Sequence, residues 1–279
     1  MKSVSTLIIL SFTFIAQAQL QSPRVSPVSE VKQTIGLSEV TVTYSRPAVR
    51  DRAIMGALIP FDEKWRTGAN ENTTIRFSDP AKFGDQVLPA GTYALYTKPG
   101  KSEWEIIFYK DVSNWGMPSD WDQSQVALSL KVPSKNHSFV ESFTIAFEEV
   151  TLSEAFLTLS WENTKVRVPF SVPTNEKMQS EIDRVLAGTP TARDYYTAAV
   201  FHLNQDLDLQ KAKLWIEKAV DMRSDAFWFF RQKSLIHEKL GERKAAIEAA
   251  KTSLELAEKA ANQNYIRINK KQLLEWGAL

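Results

Sequence analysis

The sequence predicts two architectures in one chain. Residues 19–175 read as an all-β sandwich or jelly-roll-like domain, and residues 176–279 as an all-α domain of helical hairpins. Three observations predict this. Eleven of the twelve prolines precede residue 175, and none follows Pro190. Apolar residues before residue 171 alternate with period two, the mark of half-buried strands. Beyond residue 180 the apolar period becomes that of a helix.

The elements can be justified in order. Lys2 precedes an apolar run at residues 7–16, and Ala16-Gln17-Ala18 puts small residues where a signal peptidase reads. This predicts a signal peptide over residues 1–18 and a secreted or periplasmic protein. The run is too short to span a bilayer, and no later stretch is apolar enough, so no transmembrane segment is expected. The sequence has no cysteine, which excludes disulfides, thiolate metal sites and lipid attachment at a processed cysteine. Val40, Val42 and Tyr44 share a face of one run, as do Phe143, Ile145 and Phe147 of another. Ala155, Leu157, Leu159 and Trp161 share a third face, and Val166, Val168 and Phe170 a fourth. Lys98-Pro99-Gly100-Lys101-Ser102 separates two runs as a hairpin tip, and Glu162-Asn163-Thr164 reads as another turn. About eight or nine strands result, enough for a sandwich.

Residues 171–180 read as a linker. In the second half Ala212, Ile216, Ala219 and Val220 line one helical face, and Ala246, Ala250, Ser253 and Leu254 repeat it 34 residues later. Leu240-Gly241 marks the break between paired helices, and flanking helices are expected near 177–187, 191–204 and 263–276. This spacing resembles tetratricopeptide repeats in degenerate form, which implies a surface for a protein partner. A plain helical bundle is the alternative.

Loss of Lys2 with the leader leaves 33 basic and 33 acidic residues. Without a basic excess, nucleic acid is not an expected partner. His137, expected in an exposed loop, His202 and His237 show no metal-ligand spacing, and the chain carries no nucleophile elbow, P-loop or dinucleotide fingerprint. No metal and no cofactor is expected.

A set of fragments in the first half carries a more specific signal: YSRPAVRDR (44–52), KWRTGANENTTIRFS (64–78), LPAGTYALYTKP (88–99), EWEIIFYKD (103–111), Asn114-Trp115-Gly116 and ESFTIAF (141–147). Together they resemble an exported bacterial family catalogued as domain of unknown function 2911, over about residues 25–172. The resemblance implies a secreted all-β domain and no particular activity. Asp51 stands where the family usually has glycine.

The most polar of these fragments, WRTGANEN, enters a strand through a charged knot. Gly68 suits a close backbone approach and Asn70 tolerates a left-handed backbone. Two readings follow. In one, Arg46, Arg52 and Arg66 pair with Asp51, Glu71 and loop carbonyls and lock the connections. In the other, surplus arginines and Trp65 wall a pocket for an anionic or sugar-like ligand, since an arginine fork matches carboxylates and phosphates. Trp115, in a Gly- and Pro-containing loop, is a candidate binding lip, whereas Trp104 alternates with core residues. The ligand-binding candidates are therefore Arg46, Arg52, Trp65, Arg66, Asn70, Glu71 and Trp115. No catalytic residue is assigned. The expected role is non-enzymatic binding or assembly, with a periplasmic sugar or peptide hydrolase using an Arg/Asp/Glu site as the alternative.

The leader generates the first prediction. Mass spectrometry of protein from its native cell should find Gln19 at the mature N-terminus. An intact Met1 on cytosolic protein would refute it.

Overall fold

The computed structural model describes residues 22–279, so the leader read at residues 1–18 lies outside the described residues. The chain divides into two compact units between Pro173 and Thr174.

The strands of the first unit pair antiparallel. Its strands are β1 (Val28–Ile35), β2 (Ser38–Ser45), β3 (Thr74–Phe77), β4 (Ala81–Phe83), β5 (Gln86–Leu88), β6 (Gly91–Pro99), β7 (Glu103–Tyr109), β8 (Val126–Glu148) and β9 (Glu154–Ser171). Their order is β1-β2-β3-β6-β7-β8-β9-β4-β5. The two longest strands make this one sheet into two layers. The first part of β8 pairs with β7, its later part pairs with β9, and Ser171 at the end of β9 pairs with Lys82 of β4. Register shifts in β8 at Asn136/Val140 and Val140/Thr144 let the strands turn from one layer into the other.

The core lies between the layers. Phe77 of β3 meets Phe83 of β4 and Phe170 of β9, and Phe108 of β7 meets Phe83, at ring separations of 4.8 to 6.0 Å. Val40, Val42 and Tyr44 point inward from β2, as their alternation predicts. Tyr44 also reaches across, its hydroxyl accepting from the Ile145 amide at 3.0 Å. Trp104 is buried in the same core.

Three local expectations differ from what forms. The residues 162–164 are not a hairpin turn, because β9 runs through them. Glu162 does take a left-handed backbone (φ 53°), but as an irregularity in a continuing strand. Its carboxylate turns back to accept from the amides of Ile54 and Met55. His137 is not in a loop, since β8 passes through it. Finally, most of the stretch 171–180 is helix. It begins at Thr174 immediately after Pro173, with Thr174 and Ile182 buried.

The second unit holds six helices: α1 (Thr174–Leu186), α2 (Ala192–Asn204), α3 (Leu209–Met222), α4 (Phe227–Lys239), α5 (Arg243–Lys259) and α6 (Gln263–Glu275). Helix starts are set by side chains that satisfy free backbone amides. Thr191 and Asp194 form a reciprocal capping box at α2, Asp208 caps α3, and Asn262 caps α6. The small-residue faces are both buried: Ala212, Ile216, Ala219 and Val220 on α3, and Ala246, Ala250, Ser253 and Leu254 on α5. No helix among the described residues is long and apolar enough to cross a membrane.

Each unit has its own apolar core, which generates the second prediction. Residues 19–174 expressed alone should give a soluble product with a β-rich circular dichroism spectrum and a cooperative melt. An aggregated or unfolded product would show that the strands need the helices.

Candidate functional site

The polar knot occupies the place beside β6 that the short β3 leaves open. Trp65 and Thr97 exchange backbone hydrogen bonds of 2.7 and 3.0 Å, and Leu95 donates to the Thr73 carbonyl at 2.8 Å. The Trp65 ring turns into the core, stacked on Trp161 at 5.6 Å and edge-on to Phe143 at 5.0 Å and Trp104 at 6.2 Å. Its indole N–H donates to the Gly68 carbonyl at 3.1 Å.

The tight return after Trp65 explains the residue types. A Cβ at Gly68 would lie 3.0 Å from both the Ser45 carbonyl oxygen and Thr73 Oγ1, so only glycine fits without displacement. Asn70 takes the left-handed backbone (φ 57°), and its amide donates to the Ser26 carbonyl and to Ser45 Oγ. Thr67 also takes a left-handed backbone (φ 57°), an unfavourable conformation for a β-branched residue. Buried hydrogen bonds hold it: its carbonyl accepts from Thr73 Oγ1 at 2.6 Å, and its hydroxyl reaches Thr97 Oγ1 at 3.1 Å. Arg50 and Asp51 are left-handed as well. Such strain concentrates at binding and catalytic sites.

The arginines do not pair with the acids nearest them in sequence. Arg46 donates to the Phe143 carbonyl at 3.0 Å and to Thr144 Oγ1 at 2.7 Å, tying the end of β2 to β8. Arg52 donates to the carbonyls of Val49 and Ala48. Arg50 donates to the Val25 carbonyl through its side chain and to the Glu141 carboxylate through its backbone. Among the described residues Arg66 makes one hydrogen bond, 3.1 Å to the Asn70 carbonyl. Glu71 instead accepts from Arg24, whose Nη1 donates to both carboxylate oxygens, at 2.8 and 2.9 Å. A hydrogen bond from its own backbone holds the Glu71 carboxyl below the usual range; burial opposes this, and Arg24 adds to the lowering. Asp51 is exposed and forms no ion pair among the described residues.

These placements divide the sequence-predicted residues between two clefts. The first, of about 580 Å³, is lined by Arg52, Trp65 and Arg66, joined by Arg50, Lys64 and Trp161. None of its four cations is in an ion pair among the described residues, and Glu63 is the one acid lining it. The second, of about 450 Å³, is lined by Glu71 and Trp115, with Arg24, Asn72 and Asn114. Arg46 and Asn70 line neither cleft and serve the backbone. Sequence reasoning missed Lys64 and Arg24. Lys64 sits beside Trp65 and lays its ammonium over the Trp121 ring at 4.5 Å, whereas Arg24 is 47 residues from its partner.

The histidines are accounted for differently. His202 is buried in α2 between the Asp208 carbonyl and the Gln179 side chain. His237 contacts Glu242 at 2.5 Å, and Glu242 also receives Lys213 at 2.7 Å. Lys213 first and His237 second depress the Glu242 carboxyl, and Lys213 is raised in return. Among the described residues no group of three His, Asp or Glu side chains is arranged to hold a metal ion.

A family model described as Protein of unknown function (DUF2911) matches residues 26–170, and the chain belongs to that family. No curated protein and no solved structure matches.

The contrast between two arginines generates the third prediction. Arg46→Ala removes two charged-donor bonds to β8 and should lower unfolding free energy by about 2 kcal/mol. Arg66→Ala removes one, to a carbonyl beside the open cleft, and should cost about 1 kcal/mol or less. Denaturant midpoints of both variants measure this. Equal losses would show that Arg66 is structural.

Proposed function

We propose, with membership of the DUF2911 family as the premise, that this chain is a secreted or periplasmic, non-enzymatic binding protein. In this reading the first unit holds an anionic, sugar-like small molecule in the Arg66 cleft. The observation that carries the reading is the charge state of that cleft. Four cations converge where one carboxylate lines the wall, and the Arg66 guanidinium spends one of its donors on a carbonyl. A carboxylate or phosphate would engage the remaining fork in two-pronged fashion. Beneath it Trp65 and Trp161, both buried in the core, back the floor of the cleft.

Hydrolysis by paired carboxylates is less well supported. That chemistry needs two acids facing one bond. Glu63 stands alone in the cleft, Asp51 does not line it, and Glu71 belongs to the other cleft.

The helical unit is read as two degenerate tetratricopeptide-like hairpins, α2–α3 and α4–α5, with α2, expected as a flanking helix, joining the first hairpin and α1 and α6 left as flanks. The support is the buried small-residue set repeated at a 34-residue offset and the Gly241 break between α4 and α5. On this reading the helices contact a protein partner.

Titration of the mature chain with phosphate and with galacturonate, against neutral galactose, tests the cleft. An anion should bind, and Arg66→Ala should weaken it at least about tenfold. Arg66→Lys should also weaken it, because the charge remains but the planar fork is lost. Anion binding that is absent, or unchanged in Arg66→Ala, would refute the proposal.

A further inference from the structure

We infer that the second cleft is a separate site for a neutral saccharide ring, with Trp115 as its stacking platform. The proposal does not rest on the anion reading of the Arg66 cleft, because different residues carry it.

The inference begins with a contrast within one loop. Trp121 is committed to structure: its ring packs on Tyr109 at 4.6 Å and Tyr96 at 5.5 Å, with Lys64 over it. Trp115, six positions earlier, is 68% exposed. Val112 and Met117 beside it are exposed too, so the loop offers an apolar lip to solvent.

This exposed ring is nonetheless on a pinned backbone. The Asp111 carboxylate accepts from the Ser113 amide at 2.9 Å, the Ser113 hydroxyl at 2.6 Å and the Asn114 side chain at 3.0 Å. The Ser113 and Asn114 bonds hold the Asp111 carboxyl below its ordinary range. Immediately after Trp115, the Gly116 carbonyl accepts from the Tyr96 hydroxyl at 3.0 Å. Gly116 has φ 83°, a left-handed backbone that a side chain would strain, and it lies against the Arg66 guanidinium. The fold therefore presents an indole at the surface and fixes the chain on both sides of it. A fixed platform loses little freedom when a ligand covers it.

The facing wall gives the ligand class. Glu71, Arg24, Asn72 and Thr74 line it, with Asn114 on the loop side. Amide, carboxylate and guanidinium groups in one cleft can accept from and donate to hydroxyls on the edge of a ring. Arg24 Nη1 donates to both oxygens of the Glu71 carboxylate, so the two charges cancel locally. Asn72 is buried, and its amide nitrogen has no hydrogen-bond partner among the described residues. An apolar platform opposite a charge-compensated polar wall fits a neutral, hydroxyl-rich ring. The first cleft, with its unpaired cations, does not share this balance.

The test uses the mature chain and a panel of neutral trisaccharides: cellotriose, xylotriose, mannotriose and triacetylchitotriose. Saturation-transfer NMR and tryptophan fluorescence should show at least one binding. Trp115→Ala should weaken it about tenfold or more, with an unchanged denaturant midpoint because the ring is exposed. Trp115→Tyr should recover part of the affinity. The inference is overturned if no member of the panel binds at up to about 10 mM, or if binding survives Trp115→Ala. It is equally overturned if Trp115→Ala changes only the oligomeric state, which would make the lip a protein contact.

Discussion

Trp65 is the contact on which the first unit's polar surface depends. Its backbone completes the layer beside β6 through Thr97, and its ring crosses to the other layer and stacks on Trp161 of β9. One residue thereby fixes a loop to both layers of the sandwich. The chain must then reverse at once to reach β3, and the reversal accounts for the neighbours. Gly68 admits the Ser45 carbonyl, Asn70 supplies a left-handed residue with its own amide bonds, and Thr67 is held in a backbone conformation it would not choose. Because an aromatic anchor of this size dominates its surroundings energetically, the strain is sustained by burial on the far side of the same residue.

The fold was legible in the sequence wherever one side-chain period governed a segment. Val40, Val42 and Tyr44 alternate because one face of β2 meets the core, and the helices of the second unit announce themselves by small residues at helical spacing. Legibility failed where a strand changes layers. Glu162-Asn163-Thr164 has the composition of a turn, and Glu162 has the backbone of one, yet the chain stays extended on either side. Composition reports a local dihedral requirement. It does not report whether the partner strand bends in step, as β8 does opposite.

The candidate site was legible in its residue types but not in its pairings. Arg66 and Glu71 lie five positions apart, and a local reading joins them. Their backbone path separates them instead: Arg66 faces one cleft and Glu71 the other. The real partner of Glu71 is Arg24, at the described N-terminal edge of the chain, which no short-range pattern could indicate. The other arginines bond carbonyl oxygens, and sequence carries no mark of which carbonyls are left free by an irregular strand end. Arg46 illustrates this, because its acceptor, the Phe143 carbonyl, lies beside the stretch of β8 where the register shifts.

The two clefts differ in charge for a reason built into the same knot. The guanidinium of Arg24 closes on Glu71 and neutralises one side. On the other side Arg50, Arg52 and Arg66 are each engaged by neutral carbonyls, so their charge is positioned without being cancelled. A carbonyl can orient a guanidinium through its dipole and still leave a net positive field in the cleft. A carboxylate at the same place would have removed that field. The bend at 114–117 stands against Arg66 at Gly116 and sends Trp115 to the neutral side, so the segment that packs on the cationic cleft also supplies the platform of the other. The architecture thus converts one buried tryptophan and one tight turn into two neighbouring surfaces of unlike chemistry.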